Sequence, residues 1–418
     1  MKFLKNDDRG AMLITFESIV FMVVYYLYYP FIQMFGKRMG AGDGYVALLN
    51  AAPSFVAVFV LIPFSVLIDR INRKKKTIMV LIFFNSLFYA AIALIPFIPH
   101  QAKVLAYVVL IGLMNCPGSL YLAVWKSFFA DNFTGLYGNS VYTRGKRYST
   151  FFGLITVTVT GLMITVIPKS DEERLFLYQV FYVLCFLLTL VQMYLFSRIP
   201  EQERQEKIDE EPTRPYATKK LAIIPDKEEI AGIISNKPFI TFCLCGLAFH
   251  IAWQYGFTLT FIYNADYARL NEFQFSLMSV ALGLSQSLSY SFWNKLIERK
   301  GNYFTLVASA VLVALNPFAM ITLWNFPVLI LVNIFMGVTS SGYNLSLFTT
   351  LLEMLPAEKK TIYISVFSTI TSFTGFLAPI IGVWVYSSTN IYIAIGIGGV
   401  FRVAAAIFYA VSLKRLKT

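Results

Sequence analysis

The chain has 418 residues, of which 57% are hydrophobic and only 14% charged, with a mean hydropathy of +0.64. Soluble domains carry roughly 25% charge, so these charges are too few to coat two or three soluble domains; a disordered chain is excluded on the same ground. What remains is an all-α polytopic membrane protein, and its net charge of +12 must be explained within that class.

Twelve apolar runs have the roughly 20 residues needed to cross a bilayer. They lie near 11–36, 45–68, 77–98, 103–130, 147–168, 173–197, 238–264, 273–294, 303–324, 326–355, 361–386 and 391–413. The first is too long and too rich in tyrosine for a cleaved signal peptide. With both termini in the cytoplasm, 28 of the 35 Lys and Arg face that side and six the other. This bias predicts a multi-pass protein of the cytoplasmic membrane and explains the net charge without nucleic acid.

The stretch 199–235 is charged and carries Pro200, Pro212, Pro215 and Pro225. It reads as a cytoplasmic linker, with a short surface helix near 226–234. The expected organisation is therefore a six-helix bundle over 1–198, the linker, and a second bundle over 236–418.

The halves repeat each other. The loop after the second span contains Asp69-Arg70, and the loop after the eighth contains Glu298-Arg299, each preceded by Leu-Ile. Gly112 aligns with Gly337, and Asp131 falls near Glu353. Two halves in parallel register are a transporter architecture.

The loop after the second span resembles the signature loop of the major facilitator superfamily, Gly-x-x-x-Asp-Arg-x-Gly-Arg-Arg/Lys. Asp69, Arg70, Arg73 and Lys74 stand at the matching places, while Ser65 and Asn72 replace the glycines. The resemblance extends to twelve spans in two pseudo-symmetric bundles. The marks of the family's drug–proton antiporters are missing: Met114 stands where they carry Arg, and the fifth span lacks their Gly-Pro motif. Gly375-x-x-x-Pro379-x-x-Gly382 in the eleventh span reads as close helix packing and a kink.

The resemblance implies a central cavity lined by spans 1, 4, 7 and 10. At about 100° per residue, each of these has a polar or aromatic face. Span 7 aligns Cys243, Gly246, His250, Gln254, Phe257, Phe261 and Asn264, with His250 near mid-membrane. Span 10 offers Asn333, Gly337, Ser340 and Asn344 with Tyr343 beside them, span 4 Asn115, Ser119 and Lys126, and span 1 Glu17, Tyr28 and Tyr25. Candidate cavity residues are thus Tyr25, Tyr28, Asn115, Ser119, His250, Gln254, Phe257, Tyr343 and Asn344. Lone amides such as Asn333 and Gln286 also serve as interhelical glue.

Buried charges are costly in a membrane, so Glu17 and Lys126 read as functional. Both sit about 8–9 Å inside the cytoplasmic boundary, and a pair between them is expected. Glu17, Lys126 and His250 are the proton-coupling candidates. Asp69, Arg70, Arg73, Asp131, Glu298 and Arg299 form the gating loops, with Asp69 capping the eleventh span near Thr361 and Arg73 reaching Asp131. Arg402, central in the twelfth span, either turns inward to carbonyls or a cavity, or snorkels to lipid head-groups.

No catalytic constellation, metal-ligand spacing or P-loop occurs, and no cofactor is expected. The four Cys lie in apolar runs and read as packing residues. The resulting expectation is not an enzyme but a monomeric secondary active transporter, contacting membrane lipids and using protons. It would move a small amphipathic or aromatic organic solute by alternating access, with proton-coupled export first. Uptake by symport and flipping of a lipid or lipid-linked sugar are the alternatives.

Overall fold

The computed structural model describes residues 2–68, 73–133, 135–200, 232–321, 325–355 and 360–417. Twelve long helices succeed one another among them: α1 Lys2–Tyr28, α2 Asp43–Ile68, α3 Lys74–Ala93, α4 His100–Asn132, α5 Gly135–Val166, α6 Asp171–Ser197, α7 Lys237–Ile262, α8 Glu272–Lys300, α9 Asn302–Ile321, α10 Phe326–Met354, α11 Lys360–Ser388 and α12 Ile391–Lys417. No strand occurs among the described residues. Helices suit a bilayer because each satisfies its own backbone. The linker and its expected surface helix fall almost entirely outside the described residues, as do Asp69 and Arg70.

Eleven spans among the described residues are apolar enough to cross a membrane by length and composition; α8 is not one of them. Two of its polar side chains are turned onto α10. Ser289 meets Ser341 of α10 at 2.6 Å, and Trp293 Nε1 donates to the Val338 carbonyl at 2.7 Å. α5 starts at Gly135, well before the apolar run at 147, and Val141 in its early turns is buried in the core of the first helix set.

Local signals set several helix starts. Ser170 caps α6, whose first turn holds Asp171, Glu172 and Glu173, a favourable placement at the positive end of a helix dipole. Asn271 and Gln274 form a reciprocal capping box on α8. Pro30 interrupts the first span, so α1 yields to a tight turn over Tyr29–Phe31 and a short helix, Ile32–Arg38. Tyr107 pins that helix, donating to the Ile32 carbonyl at 3.1 Å, while Phe35 stacks on Tyr178.

Among the first six helices, α1 packs on α5 and α6, α3 on α4 and α6, and α2 on α4. Among the last six, α7 packs on α11 and α12, and α10 on α8 and α9. The two sets meet along α2–α11 and α5–α8. A Cβ on Gly375 of α11 would stand 2.5 Å from Ser54 Oγ of α2, so the glycine permits that contact. Gly382 similarly admits the Tyr255 backbone of α7, in keeping with the packing role read from the motif.

Candidate functional site

A cavity of about 550 Å³ lies between the two helix sets, bounded by the turn and short helix that follow α1, and by α2, α4 and α7. Its polar lining is Gln33, Asn50, Ser54, Asn115 and Gln254; its rings are Tyr29 and Phe257. Among the described residues, none that lines it is charged. Asn115 donates to the Pro53 carbonyl at 2.8 Å, and Asn50 donates to Thr258 Oγ1 at 2.9 Å, across the two sets. Gln33 Nε2 is buried without a hydrogen-bond partner. Buried amides normally find partners, so Gln33 is a donor awaiting one. The arrangement can hold an uncharged polar molecule by amide hydrogen bonds, with a ring against Tyr29 or Phe257.

Of the expected cavity residues, Asn115, Gln254 and Phe257 line this space. Tyr25 lies beside it, stacked on Tyr29 at 4.5 Å between centroids. Ser119 donates back to the Asn115 carbonyl at 2.8 Å. Asn344 is exposed but does not line the cavity. His250 sits one turn from Gln254 among Trp253, Tyr343 and Phe367, with Nε2 buried and unpartnered.

Two tyrosines are corrected. Tyr28 packs on Tyr89 and Tyr182 of α3 and α6, with centroids 5.1 and 6.1 Å away. Tyr343 is fully buried, stacked on Phe249 at 4.5 Å. Each helix has neighbours on several sides, and an aromatic stripe suits any of them. The reading also missed Gln33, Asn50 and Ser54. Asn50 and Ser54 are spaced i, i+4 in an apolar span, a polar face on span 2, outside the set 1, 4, 7 and 10 that the resemblance implies.

Glu17 is fully buried, and its oxygens accept from three donors: Tyr121 Oη at 2.5 Å, Gln192 Nε2 at 2.7 Å and Trp125 Nε1 at 3.1 Å. The expected pair with Lys126 does not form. Tyr121 and Trp125 share one face of α4, four residues apart, and point to Glu17. Lys126 is turned about 100° further, onto a cleft facing α5. Depth was matched, but direction was not.

At the end of the helices that carries both termini, Asp131 of α4 accepts from Lys74 at 2.5 Å, and Lys74 also reaches Ser127. The contact expected of Arg73 therefore belongs to Lys74. Arg73 precedes the first turn of α3 and is exposed, whereas Lys74 begins the helix on the side facing α4. The second half has a counterpart: Glu353 at the end of α10 accepts from Asn302 at the start of α9, at 2.6 Å. Glu298 accepts from Asn294, and Arg299 is exposed. The expected cap by Asp69 lies outside the described residues.

Arg402 turns inward. It is 4% exposed and donates to the carbonyls of Ala252 and Trp253 on α7, at 3.1 and 3.0 Å. Gly256 leaves the room, since a Cβ there would lie 2.5 Å from the guanidinium.

At the opposite end, the short helix carries a latch that the sequence reading did not anticipate. Lys37 contacts Asp43 at 3.5 Å and also pairs with Asp266. Arg38 contacts Asp171 at 3.3 Å and buried Glu272 at 2.9 Å. A π-helical turn over Tyr263–Tyr267 ends α7 and presents Asp266.

Two helix sets closing on an uncharged central cavity, latched at one end, define a polytopic membrane carrier. The profile of the Major Facilitator Superfamily matches residues 14–271 and 242–418, and the chain belongs to that family. It is a multi-pass integral membrane protein and a transporter of that type. Among solved structures, a variant of the nucleoside transporter NupG is similar with a TM-score of 0.74 at 12% identity, covering 96% of this chain and 99% of the other. The NupG structure without that designation gives a TM-score of 0.70 at 14% identity, covering 97% and 99%. At such identities the likeness concerns the fold alone. No curated protein matches in sequence.

Proposed function

We propose that this chain is a proton-coupled secondary carrier of a small uncharged organic solute with an aromatic ring, of the nucleoside kind. The bundles over 1–198 and 236–418 rock about the central cavity, with both termini in the cytoplasm. One observation carries the reading: the cavity between the bundles is lined by amides and rings and by no charged residue. A nucleoside offers a flat base to Tyr29 or Phe257, and donors and acceptors to Gln33, Asn50, Asn115 and Gln254. A charged solute would lose its hydration there without a counter-charge. The likeness in fold to structures named as nucleoside transporters supports the same choice.

Glu17 is the proton site in this reading, because it is a buried carboxyl on a central helix whose partners among the described residues are all uncharged. Export against protons is the direction. The inward bonds of Arg402 withdraw it from lipid and so weaken the flippase alternative.

The test is tritiated uridine and adenosine transport in proteoliposomes. Counterflow establishes a carrier for this solute class. Accumulation driven by an acidic lumen supports exchange for protons, while accumulation driven by an alkaline lumen replaces export with symport. Counterflow with another neutral aromatic solute but with neither nucleoside would reassign the solute.

A further inference from the structure

A second cleft, of about 280 Å³, opens in the half of the first bundle nearer the termini. α5 packs on α1 while α4 packs on α2 and α3, and the cleft fills the gap between α4 and α5, floored by α1. Its walls are aromatic. Phe21 of α1 lies against Tyr121, with centroids 5.2 Å apart. Trp125 stacks on Phe129 at 5.3 Å, and Phe129 meets Tyr142 edge-on at 5.7 Å. Two ammonium groups enter it, Lys126 from α4 and Lys146 from α5, and they repel one another across it. Neither has a carboxylate or hydrogen-bond partner among the described residues. Among the described residues, Glu17 lies behind Tyr121 and Trp125 with both its oxygens already occupied by donors, and Asp131, further along α4, is paired with Lys74.

Two like charges sharing an aromatic cleft, with no carboxylate paired to either among the described residues, form an incomplete electrostatic arrangement. Ligand pockets run from about 300 Å³ upward, so this one fits a compact molecule with one or two rings. We propose that the cleft is a binding site, separate from the neutral cavity, for an aromatic molecule bearing a phosphate or carboxylate group. Lys126 and Lys146 hold the anionic group, and Trp125, Phe129 and Tyr142 face the ring. Because Tyr121 and Trp125 both line the cleft and hold Glu17, an occupant sits against the cage of the buried acid. A soluble organic anion and the phosphate of a membrane lipid share the anionic chemistry; the aromatic walls favour the soluble source.

The test is equilibrium binding to the purified full-length protein in neutral phosphatidylcholine nanodiscs. Adenosine 5′-monophosphate and indole-3-acetate are the probes, with adenosine and inorganic phosphate as controls. The expected result is binding of the two aromatic anions at least about tenfold tighter than either control, weakened by salt and by Lys126→Gln or Lys146→Gln. Both lysines are exposed, so these variants are expected to fold, and an unchanged melting temperature verifies it. Binding unaffected by both substitutions overturns the proposal. Inorganic phosphate binding as tightly as the nucleotide removes the aromatic half of it. Loss of probe binding when phosphatidylglycerol is added, with lysine-dependent retention of that lipid, transfers the site to a headgroup. The readout is binding, so a failure of nucleoside transport leaves this test intact, and the converse holds.

Discussion

Arg38 holds Glu272 of the second bundle at 2.9 Å and Asp171 of the first at 3.3 Å, and Lys37 beside it repeats the arrangement with Asp266 and Asp43. Each cation thus grips one acid of its own bundle and one across the interface. Were the bundles to separate at this end, as the proposed rocking requires, each cation would keep one partner, which would lower the cost of opening.

The two crossing contacts differ in burial. Glu272 is 1% exposed at its side chain and Asp266 40%. Exposed pairs contribute about 0–1 kcal/mol, whereas breaking a buried one costs about 3–5 kcal/mol. Glu272→Gln should therefore shift the population open at this end at least about tenfold, and Asp266→Asn less than about fivefold. Labelling of a Ser54→Cys reporter by a membrane-impermeant thiol reagent measures both. Equal effects would contradict a hierarchy set by burial.

Glu17→Gln places an amide N–H₂ among three donors in the first bundle. One donor must lose its acceptor, at a cost of about 1–3 kcal/mol. A lower melting temperature is expected, partly restored by adding Gln192→Glu, which supplies a replacement acceptor. In proteoliposomes the same variant should lose pH-driven accumulation and retain counterflow. Persistence of pH-driven accumulation would move proton coupling to another residue.

Removing cavity amides should act on binding. Asn115→Leu and Gln254→Leu each delete a hydrogen-bonding side chain from the lining, a loss of about 0.5–1.5 kcal/mol or up to about tenfold in affinity. The half-saturating concentration for counterflow should rise accordingly, with the maximal rate little changed. Asn344→Leu, outside the lining, should leave it unaltered.

Arg402 offers a test of structural against functional charge. Its guanidinium bonds two carbonyls of α7 and has no carboxylate partner among the described residues. Replacing a buried charge by an apolar side chain of similar length is often neutral or stabilising, so Arg402→Met should keep or raise the melting temperature. Gly256→Ala should lower stability by about 1–3 kcal/mol by crowding the guanidinium. Thermal denaturation of the two variants in one detergent decides it.

The succession of long helices, their approximate limits and the resemblance to the superfamily were legible in the chain. Each rests on local quantities: apolar runs of bilayer length, the placement of Lys and Arg, and spacing within a loop. Span 7 likewise announced Gln254 and Phe257. Which neighbour each face meets was decided only by tertiary packing. Tyr28 and Tyr343 looked like cavity residues, yet Tyr28 is half-buried against Tyr89 and Tyr182 and Tyr343 is fully buried, because an aromatic ring satisfies protein and cavity equally well. Glu17 and Lys126 share a depth, but one step of about 100° along α4 sends Trp125 to the acid and Lys126 to the cleft. The latch joins residues 229 and 234 positions apart. Sequence periodicity measures the turn of a single helix; the contacts that form the cavity, the acid's cage and the latch depend on how several helices rotate against one another.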